Sequence, residues 1–570
     1  MIDLKGKPFY LNDDDIKWVL DTLNDMTTDD KIHQLFNLIT YNDSEEYCKY
    51  IAEVVRPGGF MSRVMPLEEC VSAVNKMQKY SKIPMLVSAN FEAGGNGMIE
   101  SGTILGRPLE IAATDEIEQA RRLGEVCAVE GTSVGANWAF APIIDIDYNW
   151  RNPITNTRTF GSDPTRVKEM GKAYVEEVQK YDMAACIKHF PGDGRDERDQ
   201  HVAISINDLS CDEWDKTYGA AYKESIDAGV KTVMIGHLLM PAYARYFNPE
   251  IKDNEIMPAS VSYDIVTKLL REKLGFNGLI ITDSSTMAGV ATLVPRDKLV
   301  PLSIAAGNDM FMFTKNLEED FAYMQKGYDD GIITDERLND AVTRILALKA
   351  SLKLHIKKEN GTLYPNVEDA KKVVGQEKFI QYSKECADKS ITLVKEEKGV
   401  LPISPDKYHK ILFYPLEQKD DGLSIFGSGL GANQKFLNAL RAQGFEVDVF
   451  DGSGGFEGMM KPISEVVDNY DLIIYAASLQ TKSNQTVVRI EWQNPMGVNV
   501  PTYCHSVPTI FVSFENPYHL VDVPHIKTFI NCYCGFDTTI EALMEKLLGK
   551  SEFKGINPVD PFCGKWETRI

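Results

Sequence analysis

The sequence predicts an α/β protein in which a TIM-like (α/β)8 barrel precedes a smaller three-layer α/β domain. From about residue 58, short apolar runs alternate with longer amphipathic patterns, as in repeated strand–helix units around a parallel sheet. The 570 residues also exceed the size at which a single hydrophobic core usually stops growing. A polar segment then separates this region from a second series of apolar runs.

The predicted barrel strands are seven apolar runs, at residues 59–64, 84–89, 138–144, 184–189, 232–237, 278–282 and 309–313. Each run is followed by polar residues and a helical pattern, which suits an eight-stranded barrel with one strand not located. Barrel enzymes build their sites at the carboxyl ends of the strands. The residues that this rule selects are Asn90, Asp145, Asp147, Lys188, His189, His237, Met240, Asp283 and Ser284.

The chain is predicted to divide after an amphipathic helical pattern at residues 335–354, where a stretch rich in Lys, Glu, Asn, Gly and Pro follows. We expect a catalytic barrel domain over residues 1–356, a linker over 357–375 and a second domain over 376–570. Strand-like runs in the second domain lie at residues 410–415, 446–450, 472–476, 508–512 and 528–532. The glycine-rich segment 427–431 lacks the G-x-G-x-x-G spacing, so a loop before the helical pattern at 433–443 is favoured over a nucleotide site.

Composition limits the classes of partner. With 83 acidic and 61 basic residues, the net charge of -22 repels phosphate backbones and anionic lipid surfaces. The first residues, MIDLKGK, contain no apolar signal core, and the ten cysteines are scattered as reduced core residues usually are. We therefore expect a folded, cytoplasmic protein that binds neither nucleic acid nor membranes.

The segment from Lys188 to His201, KHFPGDGRDERDQH, concentrates charged and imidazole groups directly after one predicted strand. Its glycines and proline let the backbone leave the strand sharply, and its charges predict an unburied, mobile loop over the barrel mouth. Asp199 and His201 are two residues apart, so in an extended loop the carboxylate can bond one imidazole nitrogen while the other faces substrate. This pair is a candidate general acid/base, with a solvated ion pair as the alternative.

Asp283 ends the apolar run at residues 279–282 and precedes Ser284, Ser285 and Thr286. A carboxylate at a strand tip among hydroxyl groups suits an ionised nucleophile, although an aspartate here also commonly caps the next helix. Together with an acid/base on a neighbouring loop, it supplies the two groups that cleavage of a glycosidic bond requires.

These residues resemble glycoside hydrolase family 3, specifically its β-N-acetylglucosaminidase branch, whose K-H-F-P-G-x-G-x-x-x-x-D-x-H pattern matches residues 188–201 at full spacing. Further similarity lies in DKIHQL at 30–35, FAP at 140–142, RTFG at 158–161 and AGNDM at 306–310. In the second domain, SITLVK at 390–395, Leu401-Pro402 and KGINP at 554–558 resemble the family's αβα-sandwich domain.

The resemblance implies that Asp283 is the nucleophile, His201 the acid/base and Asp199 its partner, with no metal or organic cofactor. The expected substrate contacts are Asn90, Glu92, Arg158, Lys188, His189 and Met287. A salt-bridged barrel rim is the structural alternative for the charged members of this set. The family's aspartate in its D-x-E-G-G segment is Asn90 here, a frequent arginine is Met98, and the central residue of G-H-G is Asp193. These departures leave the identity of the sugar open.

The expected activity is that of a retaining exo-β-glycosidase that releases a terminal β-linked sugar, first of all N-acetylglucosamine, through a covalent glycosyl-enzyme. Because a neutral histidine does not repel an anionic acceptor, phosphate is an alternative to water in the second step. Three other functions stay open: a β-glucosidase or other β-hexosidase on the same scaffold, a non-catalytic sugar-binding protein, and a nucleotide-dependent enzyme.

Overall fold

The computed structural model describes residues 2–40, 42–417, 431–484, 486 and 489–570, so most of the glycine-rich segment, residues 427–430, lies outside the described residues. The chain forms two compact units. The first comprises Met1–Ile104, Ala120–Thr155 and Pro164–Ile380, and the second comprises Leu105–Gln119, Asn156–Asp163 and Gln381–Ile570. Two short segments from the barrel half of the sequence thus group with the second unit.

The first unit contains an eight-stranded, wholly parallel sheet in the order β1-β2-β3-β4-β5-β7-β9-β10, and the short strands β6 and β8 pair separately. A parallel bridge between Phe36 and Phe311 brings the first and last strands together. The strands are β1 Asn37–Thr40, β2 Gly59–Ser62, β3 Leu86–Ala89, β4 Trp138–Ala139, β5 Ala184–Phe190, β6 Ser205–Ile206, β7 Thr232–Ile235, β8 Leu238–Leu239, β9 Leu279–Ser284 and β10 Met310–Met312.

This sheet confirms the predicted TIM-like barrel, and two strands differ from the sequence pattern. The strand that the pattern did not locate is β1, a four-residue strand whose ends, Asn37 and Thr40, are polar. The predicted strand at 138–144 is regular only at β4, because Pro142 lacks the N–H that a sheet ladder needs. Ile144 nevertheless donates its N–H to the carbonyl oxygen of Lys188 at 3.0 Å, which keeps this segment beside β5.

The α-helices are α1 Asp13–Asp25, α2 Thr28–Gln34, α3 Glu45–Lys49, α4 Leu67–Tyr80, α5 Pro108–Ala113, α6 Ile117–Ser133, α7 Pro164–Val178, α8 Cys211–Lys216, α9 Tyr218–Asp227, α10 Pro241–Phe247, α11 Ala288–Ala291, α12 Arg296–Ala305, α13 Leu317–Asp329, α14 Asp335–Ser351, α15 Leu354–Glu359, α16 Val367–Val373, α17 Glu377–Ser390, α18 Ala432–Ala442, α19 Gly455–Met459, α20 Ile463–Val467 and α21 Asp537–Leu547. Two π-helical segments lie at Tyr50–Val55 and Asp264–Lys273. Within the described residues, none of the helices has both the length and the apolar surface needed to cross a bilayer.

The second unit contains a six-stranded sheet in the order β11-β16-β15-β14-β12-β13, parallel except for the antiparallel edge strand β11. Along the strand Lys410–Glu417, Ile411 and Phe413 belong to one apolar cluster and Leu412 and Tyr414 belong to another. Alternate residues of a strand face opposite sides, so both faces of the sheet are covered and the predicted αβα sandwich is confirmed. The strands are β11 Thr392–Lys395, β12 Lys410–Glu417, β13 Glu446–Val449, β14 Leu472–Ser478, β15 Thr509–Ser513 and β16 Thr528–Asn531.

A buried ion cluster stabilises the first unit just before β10. The fully buried Asp309 accepts hydrogen bonds from Arg271 at 2.6 Å, from Arg337 at 2.5 Å and from the N–H of Ile280 at 2.8 Å. The two arginines reach it from the second π-helical segment and from α14, so the carboxylate joins three distant parts of the chain.

Asp309→Ala is expected to destabilise the protein strongly, by about 3–5 kcal/mol, because it leaves two largely buried guanidinium groups without their carboxylate. The thermal and urea unfolding midpoints measure this effect. Asp330→Ala serves as the matched control, since Asp330 forms an exposed pair with Lys326 on the barrel surface. Equal midpoints for the two variants would contradict the expectation.

Candidate active site

Asp283 lies near the end of β9, at the carboxyl end of the barrel sheet, and only 8% of its surface is exposed. Burial raises the pKa of Asp283, but the imidazoles of His189, His237 and His201 outweigh burial and bring that pKa below its ordinary value. The carboxylate therefore stays ionised at neutral pH.

The helix-capping alternative for Asp283 does not fit the local structure. Helix α11 begins at Ala288, its N-cap residue is Met287, and no side chain caps it. The Asp283 carboxylate instead accepts the N–H of Ser284 at 2.7 Å. A carboxylate that is buried and free of a capping role is available for chemistry.

His189, at the end of β5, is oriented by Asp145. The Asp145 carboxylate accepts His189 Nδ1 at 2.7 Å and the backbone N–H of His189 at 3.1 Å. Because a carboxylate only accepts, Nδ1 carries the proton and Nε2 points the other way. His189 Nε2 lies 4.0 Å from Asp283 Oδ2. The sequence placed Asp145 at the barrel's carboxyl end, but it offered no indication of this pairing.

Asp199 and His201 form the hydrogen-bonded pair that their spacing allows. Asp199 Oδ1 accepts both the His201 backbone N–H at 2.8 Å and His201 Nδ1 at 2.7 Å. The Asp199 side chain is fully buried, whereas 27% of the imidazole is exposed. Nδ1 therefore carries the proton of this hydrogen bond, and Nε2 is the nitrogen on the other side of the ring.

The segment that carries this pair differs from the unburied loop that its charges predict. Asp193, Asp199 and Gln200 are buried, and in the stretch between them only Glu197 and Arg198 are exposed. Hydrogen bonds to neighbouring strands and loops compensate the buried polar groups, which the count of charges along the sequence does not reveal.

The same segment lies beside the nucleophile candidate. The carbonyl oxygen of His201 accepts the N–H of Ala288 at 2.9 Å, just beyond the turn that follows Asp283. His201 is also one of the imidazoles that lower the pKa of Asp283. The structure therefore brings together the two halves of the predicted catalytic apparatus from different strands.

A third imidazole, His237, is hydrogen-bonded at both ring nitrogens. Its Nε2 donates to the carbonyl oxygen of Ser284 at 3.0 Å, and its Nδ1 lies 2.7 Å from the Ser260 hydroxyl. Burial lowers the pKa of His237 even though Asp283 is near. The sequence indicated His237 only by its place at the end of a predicted strand. No sequence pattern indicated Ser260.

Lys188 connects two of the remaining predicted substrate contacts. Its ammonium group donates to Glu92 at 2.7 Å and to Asn90 at 3.4 Å, and only 3% of the Lys188 side chain is exposed. Met287 is buried in the turn after Asp283. Arg158 ends a short 3-10 turn, Asn156–Arg158, in a segment of the second unit. Its contact with a sugar stays a prediction.

Comparisons with known proteins identify the family of the chain. Residues 27–348 match the family model described as Glycosyl hydrolase family 3 N terminal domain. A β-N-acetylglucosaminidase/β-glucosidase of Cellulomonas fimi is 50% identical over 572 aligned residues, which cover 100% of both chains. A solved β-glucoside phosphorylase is 42% identical with a TM-score of 0.91, covering 99% of each chain.

A solved family 3 β-N-acetylglucosaminidase from Paenibacillus sp. has a TM-score of 0.77 at 21% identity, covering 94% of this chain and 99% of its own, and shows the shared fold. The family model spans more than half of the 570 residues and contains every barrel residue discussed above. The protein belongs to glycosyl hydrolase family 3.

Proposed function

We propose that this protein is a retaining exo-β-glycosidase that acts on terminal β-linked N-acetylglucosamine and glucose, and that phosphate can replace water as acceptor. The observation that carries the proposal is the His201–Asp199 hydrogen bond on a segment attached beside the ionised Asp283. In this arrangement, Asp283 is the proposed nucleophile and His201 the proposed proton donor, both at one end of the barrel.

In the first step, Asp283 attacks the anomeric carbon while His201 Nε2 gives a proton to the departing glycosidic oxygen. The Asp199 carboxylate stabilises the protonated imidazole before this transfer and keeps Nδ1 protonated afterwards, as a carboxylate does in a Ser-His-Asp triad. The product is a covalent glycosyl-enzyme and a free aglycone. We expect His189 and Lys188 to bind the hydroxyl groups of the sugar.

In the second step, the oxygen of the acceptor attacks the anomeric carbon and gives its proton to the now neutral His201. The bond between this carbon and Asp283 breaks, which releases the carboxylate. A neutral imidazole exerts no charge repulsion on phosphate, in contrast to a carboxylate base. The likeness to a β-glucoside phosphorylase supports the same choice of acceptor. Two displacements at one carbon give a product with the β configuration of the substrate.

The proposed breadth for sugars rests on the cluster of Lys188, Glu92 and Asn90. Asn90 is neutral where the family's segment carries an aspartate, so the Lys188 ammonium has one carboxylate partner in this cluster, Glu92. Fewer charges around the sugar hydroxyls reduce the penalty for exchanging one 2-substituent for another. The relative from Cellulomonas fimi, named for both activities, supports this breadth.

The test is turnover of the nitrophenyl β-glycosides of N-acetylglucosamine and glucose, each with and without phosphate. A concentration of about 10 mM phosphate lies above the usual range of KM values. We expect turnover of both sugars, faster release of nitrophenol with phosphate, and a sugar 1-phosphate as product. Free sugar alone under both conditions would reject phosphate as acceptor. Inactivity on both substrates would favour a non-catalytic sugar-binding protein. Thermal stabilisation by a nucleotide would favour a nucleotide-dependent enzyme.

We also propose a cytoplasmic location and partners limited to small carbohydrates and phosphate. All ten cysteines are present as thiols, eight of them buried, as is usual in a reducing compartment. The net charge of -22 opposes binding to nucleic acid and to anionic membranes.

A further inference from the structure

We propose that Gln200 is a positioning residue, whose side-chain amide holds the Asp199–His201 pair in its productive place. The inference rests on the proposed role of His201 as the proton donor. Gln200 lies between the two residues of the pair and is fully buried. Its amide is bonded to Asp193 and to the backbone of His237 and not to Asp283 or the His201 imidazole, so its effect has to pass through the backbone.

The amide of Gln200 bridges two fixed parts of the barrel. Its Oε1 accepts the backbone N–H of His237 at 2.8 Å, and its Nε2 donates to Asp193 Oδ2 at 3.1 Å. Because the His237 N–H can only donate, the oxygen must face it and the nitrogen must face Asp193. The orientation of the amide is therefore determined, and each end has a complementary partner.

Both partners are themselves immobilised. Asp193 accepts Asn152 Nδ2 at 3.0 Å, and its own N–H donates to Asp145 Oδ1 at 2.8 Å. That Asp145 carboxylate is the one that orients His189. At the other end, His237 follows β7, and its ring is bonded on both nitrogens. Gln200 thus connects the Asp199–His201 pair to the backbone of His237 and, through Asp193, to the carboxylate that orients His189.

The surrounding backbone leaves little room for the loop to shift. At Gly289 an added Cβ would stand 2.2 Å from the carbonyl oxygen of Gln200, and at Gly236 it would stand 3.1 Å from Gln200 Oε1. Two glycines allow the chain to approach both the backbone and the side chain of Gln200 closely. Loss of the amide removes the directed contacts and leaves only this steric confinement.

A displaced proton donor has a specific kinetic consequence. Aglycones that leave poorly need a proton in the transition state, whereas strongly acidic aglycones leave without one. A fault in positioning His201 therefore slows poor leaving groups selectively. A general loss of folding or of sugar binding slows all substrates alike.

The test compares Gln200→Ala and Gln200→Met with Val202→Ala across aryl β-glycosides of graded leaving-group pKa. Methionine keeps the length of the side chain but removes both hydrogen bonds, and Val202 is 37% exposed in the same loop. We expect kcat/KM to fall about 100-fold for phenyl glycosides and less than about threefold for dinitrophenyl glycosides, within the usual range for general acid catalysis. Val202→Ala is expected to follow wild type throughout.

A double-mutant cycle with His201→Ala completes the test. If Gln200 acts through His201, adding Gln200→Met to His201→Ala changes kcat/KM for phenyl glycosides less than about twofold. Additive losses, or equal losses for all leaving groups with a lowered thermal midpoint, would overturn the proposal in favour of a merely structural role. If His201→Ala itself shows no leaving-group dependence, the proposed function of His201 fails, and that failure is visible without any Gln200 variant.

Discussion

Asp283→Ala is expected to lower kcat/KM by about four orders of magnitude, equivalent to about 5.4 kcal/mol of transition-state stabilisation at 1.36 kcal/mol per tenfold. The substitution removes the carboxylate that forms the bond to the anomeric carbon, and no neighbouring group replaces it. The surrounding imidazoles lower the pKa of this carboxyl and keep it charged, so the loss is expected over the whole neutral range. Initial rates on nitrophenyl N-acetyl-β-glucosaminide and β-glucoside measure it.

The control for this experiment is Asp208→Ala. Asp208 carries an exposed carboxylate that pairs with Arg195 of the 188–201 segment. It is expected to retain wild-type rates. A 2-fluoro sugar with a good leaving group should trap the covalent intermediate, and peptide mass spectrometry should find the label on Asp283. Full activity of Asp283→Ala, or a label on another residue, would sink the proposed mechanism.

His201→Ala is expected to lower kcat/KM by about 10²–10⁴-fold for glycosides with poor leaving groups, the usual contribution of a general acid. For dinitrophenyl glycosides the first step no longer needs a proton, so the glycosyl-enzyme is expected to form and then to persist. A burst of dinitrophenol followed by slow turnover reports this change, because the variant lacks the base for the second step.

Asp199→Asn provides the matched control for His201→Ala, because the amide keeps the shape of the side chain but loses the charge that stabilises protonated His201. It is expected to give a smaller loss with the same dependence on the leaving group. The values of kcat/KM across the series of leaving groups separate the two variants, since Asp199→Asn retains the His201 imidazole and His201→Ala does not. Equal losses for good and poor leaving groups in both variants would assign this pair to structure.

The alternation of apolar runs and helical patterns was sufficient to predict both folds. Six of the seven predicted barrel strands overlap an observed strand by three residues or more, and the five predicted strands of the second domain overlap β12 to β16. The strand-tip position of Asp283 and the two-residue spacing of Asp199 and His201 were likewise visible, because each is a local property of the chain. Periodicity and spacing report what neighbouring residues do to one another.

The tertiary structure decided which polar groups meet across the barrel. Asp145 orients His189, which lies 44 residues further along the sequence. His237 donates a hydrogen bond to the carbonyl oxygen of Ser284, which lies 47 residues further along. No sequence pattern indicated a role for Gln200, yet its side chain is buried and both the oxygen and the nitrogen of its amide form hydrogen bonds. The partner of a buried polar group is set by the order of strands in the closed sheet, which a one-dimensional pattern does not contain. The sequence by itself determined the type and local place of the reactive groups, and the closed sheet decided their partners, burial and charge.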